Sequence, residues 1–285
     1  MRNDVKKDLI LMLKGFIIGS SMSVPGISGG TMAILLGIYD QLIRSVSNYF
    51  KDIKGNTLYL SKALLGSFMG IGSLAFLIQW LLNKYPMYVS FFFLGAVMGG
   101  VPALLKKTQE KTIKISSLMY VLLGLMIVIS ISFIPTGNFS IVSGSGLVHY
   151  LMVLVTGIII ALALILPGIS TSHMLLVMGM YETLLKAITT MDIVYIGVLG
   201  ISTVIGVFLI TKPIEWTMNT YTKQTYFVIT GFVLGSTAEI FSDKILPSIP
   251  SNASNLWWIS AILISLITFT MGYKAISSLS KFSKD

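Results

Sequence analysis

The chain has no cysteine, and only eleven per cent of its 285 residues are charged. Without thiols there is no disulfide framework and no thiolate chemistry. So little charge excludes an ordinary soluble domain, in which about a quarter of residues are charged. Acids are the scarcer sign, 11 Asp and Glu against 20 Lys and Arg, for a net charge of +9. That excess would suit nucleic acid, but the basic residues sit in short loops between apolar runs, so positive-inside sorting explains them and no nucleic-acid partner is expected. No metal or cofactor motif stands out, and none is expected.

Apolar residues are abundant, at 54 per cent of the chain, and they form several long uncharged runs. The expected class is an all-α polytopic membrane protein forming one membrane domain over residues 1–285. The run from Leu9 looks superficially like a signal peptide. Lys14 interrupts it and no small-residue cleavage site follows, so its retention is expected.

One heptapeptide, Pro25-Gly26-Ile27-Ser28-Gly29-Gly30-Thr31, returns as Pro167-Gly168-Ile169-Ser170-Thr171-Ser172-His173. Aligned without a gap, residues 25–46 and 167–188 also share Met32/Met174, Gly37/Gly179, Tyr39/Tyr181 and Leu42/Leu184. Asp40 faces Glu182, and Arg44 faces Lys186. Composition alone does not reproduce one breaker, one tyrosine and one charge order, so the chain is an internal duplication.

In each copy an apolar run meets Pro-Gly, which ends a helix, and Ser28 or Ser170 is placed to cap the next one. The uncharged stretch that follows, Thr31 to Tyr39 or His173 to Tyr181, rises only about 14 Å, roughly half of a hydrocarbon core about 30 Å thick. The spacing predicts re-entrant helical hairpins over 9–47 and 147–188, with broken tips near the midplane.

Spanning helices are expected near 58–82, 86–105 and 117–134, and again near 193–215, 224–241 and 256–276. Repeat 1 covers about 9–134, a linker 135–146, and repeat 2 about 147–276. Gly95/Gly99 and Gly231/Gly235 fall in equivalent helices, and packing is the role expected of them. Three spans per half invert the second half relative to the first, the plan of secondary transporters.

A cytoplasmic N-terminus puts Arg2, Lys6, Lys7, Lys51, Lys54, Lys106, Lys107, Lys111, Lys114, Lys223, Lys281 and Lys284 inside, with only Lys84 and Lys244 outside. That bias places both termini in the cytoplasm. Trp80, Trp257 and Trp258 then fall near the outer interface and Trp216 near the inner one.

Two helix N-termini facing each other would offer unpaired N–H groups and partial positive charge to a small oxyanion such as phosphate. The candidate residues are Pro25, Gly26, Ile27, Ser28, Gly29, Gly30 and Thr31 in one tip and Pro167, Gly168, Ile169, Ser170, Thr171, Ser172 and His173 in the other. Asp40/Arg44 and Glu182/Lys186 have the favourable i, i+4 order of helical ion pairs, with a gating or coupling role as the alternative. His173 is the titratable group nearest a tip, and Lys14 is expected to snorkel to the cytoplasmic surface.

The doubled tip, Val24-Pro25-Gly26-Ile27-Ser28-Gly29-Gly30-Thr31 and Leu166-Pro167-Gly168-Ile169-Ser170, resembles that of the polyprenyl-phosphate transporter family over essentially the whole chain. The resemblance implies a bacterial plasma-membrane protein that returns undecaprenyl phosphate from the outer to the inner leaflet for cell-wall synthesis. Undecaprenyl-pyrophosphate phosphatases also use inverted hairpins, but their tip motif resembles PG-x-S-R-S. Here Gly29 and Thr171 stand at the arginine position, and the glutamate pair of that family's first hairpin is missing. A carrier of a small soluble anion shares the same physics and would have a narrow closed cavity instead of a groove open to lipid.

Overall fold

The computed structural model describes residues 2–22, 24, 27–110, 114–135 and 146–282. Pro25, Gly26, Lys111, Lys284 and most of the expected linker, 136–145, lie outside the described residues.

Twelve α-helices follow in order among the described residues: α1 (Arg2–Ser21), α2 (Gly29–Leu35), α3 (Tyr39–Ser47), α4 (Ile53–Lys84), α5 (Pro86–Lys107), α6 (Ile115–Ser132), α7 (Leu147–Ile165), α8 (Thr171–Val177), α9 (Tyr181–Thr189), α10 (Ile193–Thr220), α11 (Thr222–Ile240) and α12 (Asn255–Phe282). Six of them, α4 to α6 and α10 to α12, are long and apolar enough to cross a membrane. Their outward side chains are large and greasy, and Phe76 on α4 is 84% exposed. Such a surface needs lipid around it. The protein is an all-helical, multi-pass membrane protein.

The two halves repeat their local chemistry. Asp52 caps α4 by accepting from Gly55 N–H, and Asp192 caps α10 by accepting from Tyr195 N–H. Tyr85 and Tyr221, in nearly the same backbone conformation, end one helix and begin the next. The limb after each tip is two short helices and not the single one that the apolar run suggests. Gly37 and Gly179 adopt positive φ of 71° and 65° and end α2 and α8. Ile38 N–H then bonds Ala33 C=O, and Met180 N–H bonds Leu175 C=O, the paired stop that a left-handed glycine makes.

Packing follows the duplication. α1 lies on α4 and α7 on α10; α5 pairs with α12 and α11 with α6, so each half lends its last helix to the other. Glycines set the close approaches: a Cβ at Gly95 would collide with the Phe269 carbonyl, one at Gly99 with that of Tyr273, and one at Gly231 with that of Val121. The glycine pairs thus serve packing, as expected. The symmetry is broken at one place. α3 packs on α10, whereas its counterpart α9 has no comparable contact with α4.

Candidate functional site

The two tips meet. Ser28 Oγ accepts from Thr31 N–H at 3.1 Å, the capping bond read from the sequence. The two hydroxyls lie 2.9 Å apart, and both accept from the backbone N–H of Gly168, at 3.1 Å from Ser28 and 2.8 Å from Thr31. Gly168 has φ +80° and sits against the Phe232 backbone, so this tip suits glycine alone. Gly30 faces the carbonyl oxygens of Leu164 and Ile165, and Tyr39 donates to the Ile165 oxygen. Ser28, Thr31, Ile27 and Ile169 are all buried. In the first tip, therefore, the hydroxyls hold the second tip in place.

The second tip is more open. Ser170 caps His173 N–H at 3.3 Å, Thr171 is half-buried and Ser172 is exposed. His173 Nε2 lies 3.3 Å from the Ile131 carbonyl at the end of α6.

One correction concerns the charges. Asp40 does not pair with Arg44. Lys107 on α5 donates to its Oδ2 at 2.6 Å, while Arg44 reaches Asn219 at 3.5 Å. Among the described residues Glu182 and Lys186 form no ion pair within 4.0 Å. A surface pair one turn apart is worth only a few tenths of a kcal/mol, so a tertiary partner easily displaces it.

Sequence reasoning missed three groups. Glu215 on α10 accepts from Ser47 Oγ at 2.5 Å and from Asn48 Nδ2 at 2.8 and 2.9 Å, which ties α3 to α10. Glu239 is a buried carboxyl in α11, and its signal was a lone acid in an apolar run. Lys107 was counted only as a loop charge.

Beside the tips runs an apolar cavity of about 570 Å³ between the first hairpin, α4, α7 and α10. Gly29, Gly30 and Tyr39 form its inner wall, and Leu64, Phe68 and Val204, all exposed, form its outer edge. The cavity opens sideways between α4 and α10, onto the exposed apolar surface of those helices. Trp80 and Lys84 lie at one end of the bundle, the ammonium 5.1 Å from the ring centre, with Trp257 beside Met87 and Ile245 at the same end. Trp216 lies on α10 at the other end, beside Asn219.

Known proteins bear on this arrangement. Residues 18–256 match the family model VCA0040-like, described as undecaprenyl phosphate translocase-like. A polyprenyl-phosphate transporter of Vibrio cholerae is 33% identical over 250 residues, covering 81% of this chain and 77% of that protein. A polyprenyl-phosphate transporter of Staphylococcus aureus is 32% identical over 277 residues, covering 93% of each. No solved structure matches the chain. A family match that covers the tips, the apolar cavity and every spanning helix up to the start of the last one means that the chain belongs to the undecaprenyl phosphate translocase-like family.

Proposed function

We propose that the protein transports a polyprenyl phosphate, returning undecaprenyl phosphate from the outer to the inner leaflet of a bacterial plasma membrane. The observation that carries this reading is the apolar cavity of about 570 Å³, open to lipid at one side and closed at the other by the hairpin tips. An isoprenoid tail fits such a groove, whereas a soluble anion has no use for it.

The halves act as an inverted repeat with both termini cytoplasmic, each hairpin entering from its own face, and access alternates as one half rocks against the other. α3 held against α10, with no comparable contact between α9 and α4, suits a conformation closed on the cytoplasmic side. The phosphate passes the tips through Gly29, Thr171, Ser172 and His173, while Ser28, Thr31 and Gly168 keep the tips together.

Moving one negative charge inward against an inside-negative potential costs about 2.3 kcal/mol per 100 mV, so uptake is coupled to a proton. His173, the imidazole at the second tip beside the Ile131 carbonyl, carries it.

Reconstitution in liposomes with a fluorescent polyprenyl phosphate tests the whole reading. The parent moves the lipid between leaflets and releases no phosphate from undecaprenyl pyrophosphate. Acidifying the outside accelerates inward movement in the parent but not in His173→Gln. A parent that leaves the lipid in its leaflet overturns the transport reading, and one that hydrolyses the pyrophosphate restores the enzyme alternative. Equal acceleration of both proteins removes His173 from the proton's path.

A further inference from the structure

We propose that the cavity of about 320 Å³ between the ends of α3, α5 and α10 is a docking site for a phosphate monoester, in which the Asp40 carboxylate is an internal counter-ion that the phosphate displaces. The proposal rests on the transport reading and gives the headgroup a place near the inner leaflet, away from the tips.

Arg44, Lys106 and Lys107 line the cavity together with Asn219 and Thr222. Three cations face one carboxylate. Among the described residues Lys106 has no ion pair, and Arg44 spends a single long bond on Asn219. Asp40 engages Lys107 through Oδ2 and leaves its buried Oδ1 without a hydrogen bond. A phosphate monoester brings three acceptor oxygens and a charge of about −1.5 to −2, which matches this set better than one carboxylate does. The planar guanidinium takes two of those oxygens at once. A single helix separates the site from the apolar groove: Tyr39 and Ile43 of α3 line the groove, and Asp40 and Arg44 line the cavity.

The repeat supplies a second, independent observation. A cavity of about 280 Å³ lies at the opposite end of α5. Aligning Gly95 with Gly231 places Leu82, Asn83 and Pro86 where Met218, Asn219 and Thr222 stand in the first cavity, and all three line the second. The π-helical turn Phe241–Ile245 adds one residue to α11, which brings Lys244 to the register of Lys107. Each half thus keeps an amide and an ammonium at the same place in the fold. Mere packing explains neither, but a carrier that takes a headgroup at one leaflet and releases it at the other needs both.

The test titrates the full chain in nanodiscs with inorganic phosphate and, separately, with a short-chain polyprenyl phosphate, reading Kd by calorimetry. Arg44→Gln combined with Lys106→Gln should weaken binding at least tenfold. Asp40→Asn frees Lys107 and should tighten it several-fold, a gain that misfolding cannot produce. An effect on the lipid with no phosphate binding in any variant assigns the site to a headgroup held with its tail; an effect on both probes assigns the phosphate group itself. If the double variant binds both probes as the parent does, or if Asp40→Asn weakens binding, the site is overturned. An effect on inorganic phosphate alone overturns its lipid role. A parent that moves no lipid but binds phosphate according to these charges sinks the transport reading and leaves the anion site standing.

Discussion

The hydroxyl of Tyr39 donates to the carbonyl oxygen of Ile165 at 3.0 Å, joining residues 126 positions apart and stitching the first hairpin to the second. Ile165 ends α7, so its carbonyl is one of the acceptors a helix leaves unpaired. Tyr39→Phe strands that oxygen in a buried place, at a cost of about 1–3 kcal/mol. A lowered melting temperature in detergent, with an unchanged fold by circular dichroism, is the expected outcome.

Ser28 and Thr31 share one donor, the N–H of Gly168. Either hydroxyl alone keeps that donor satisfied, so Thr31→Val costs little, and Ser28→Ala costs about 1 kcal/mol, mostly through the lost cap. The double variant leaves the N–H buried and unpaired, and its loss should exceed the sum of the single losses. A double-mutant cycle of unfolding free energies checks this, and additivity within error would refute the shared bond.

Glu110 lies between α5 and α6, outside the spanning segments, where the Lys223 ammonium and the Ser117 hydroxyl hold its carboxyl below the usual carboxylate range. A depressed folded-state pKa contributes stability that is present above the unfolded value, about 4.3, and is lost as pH falls through the folded one. Thermal unfolding between pH 3 and 7 should therefore show a loss at the acid end, and Lys223→Gln should shrink it. Identical pH profiles for the two proteins would rule out the pair as a contributor.

The proposed inverted topology can be tested by labelling, because the chain has no native cysteine. An impermeant maleimide should reach Ser251→Cys from outside intact cells and Lys54→Cys only after permeabilisation. Equal access at both positions would refute opposite placement of the two loops.

Much of the fold was legible because its signals are local. Pro-Gly breaks, serine caps and glycine pairs act within a turn or two of where they stand, and the copying of Pro25–Thr31 at Pro167–His173 made each one count twice. The stop at Gly37 was missed because apolar residues continue across it; only the glycine, repeated at Gly179 and followed by an apolar residue, marked the left-handed turn. The partner of Asp40 was missed for the opposite reason. Sequence spacing favours Arg44 one turn on, but Lys107 arrives from 67 residues away once α5 packs near the first hairpin. Legibility at the site ended in the same place: residue types named the tips, but only packing could assign Ser28 and Thr31 to Gly168.

The exchange of last helices also dictates the order of assembly. α5 is synthesised early and carries Gly95 and Gly99 on a face that fits the backbone of α12 at Phe269 and Tyr273. That partner is separated from α5 by α6 to α11 in the chain, so the first half waits in the membrane with an unfilled seam until α12 has been made. Neither half is a finished folding unit, and the nascent protein becomes native only when α12 reaches α5.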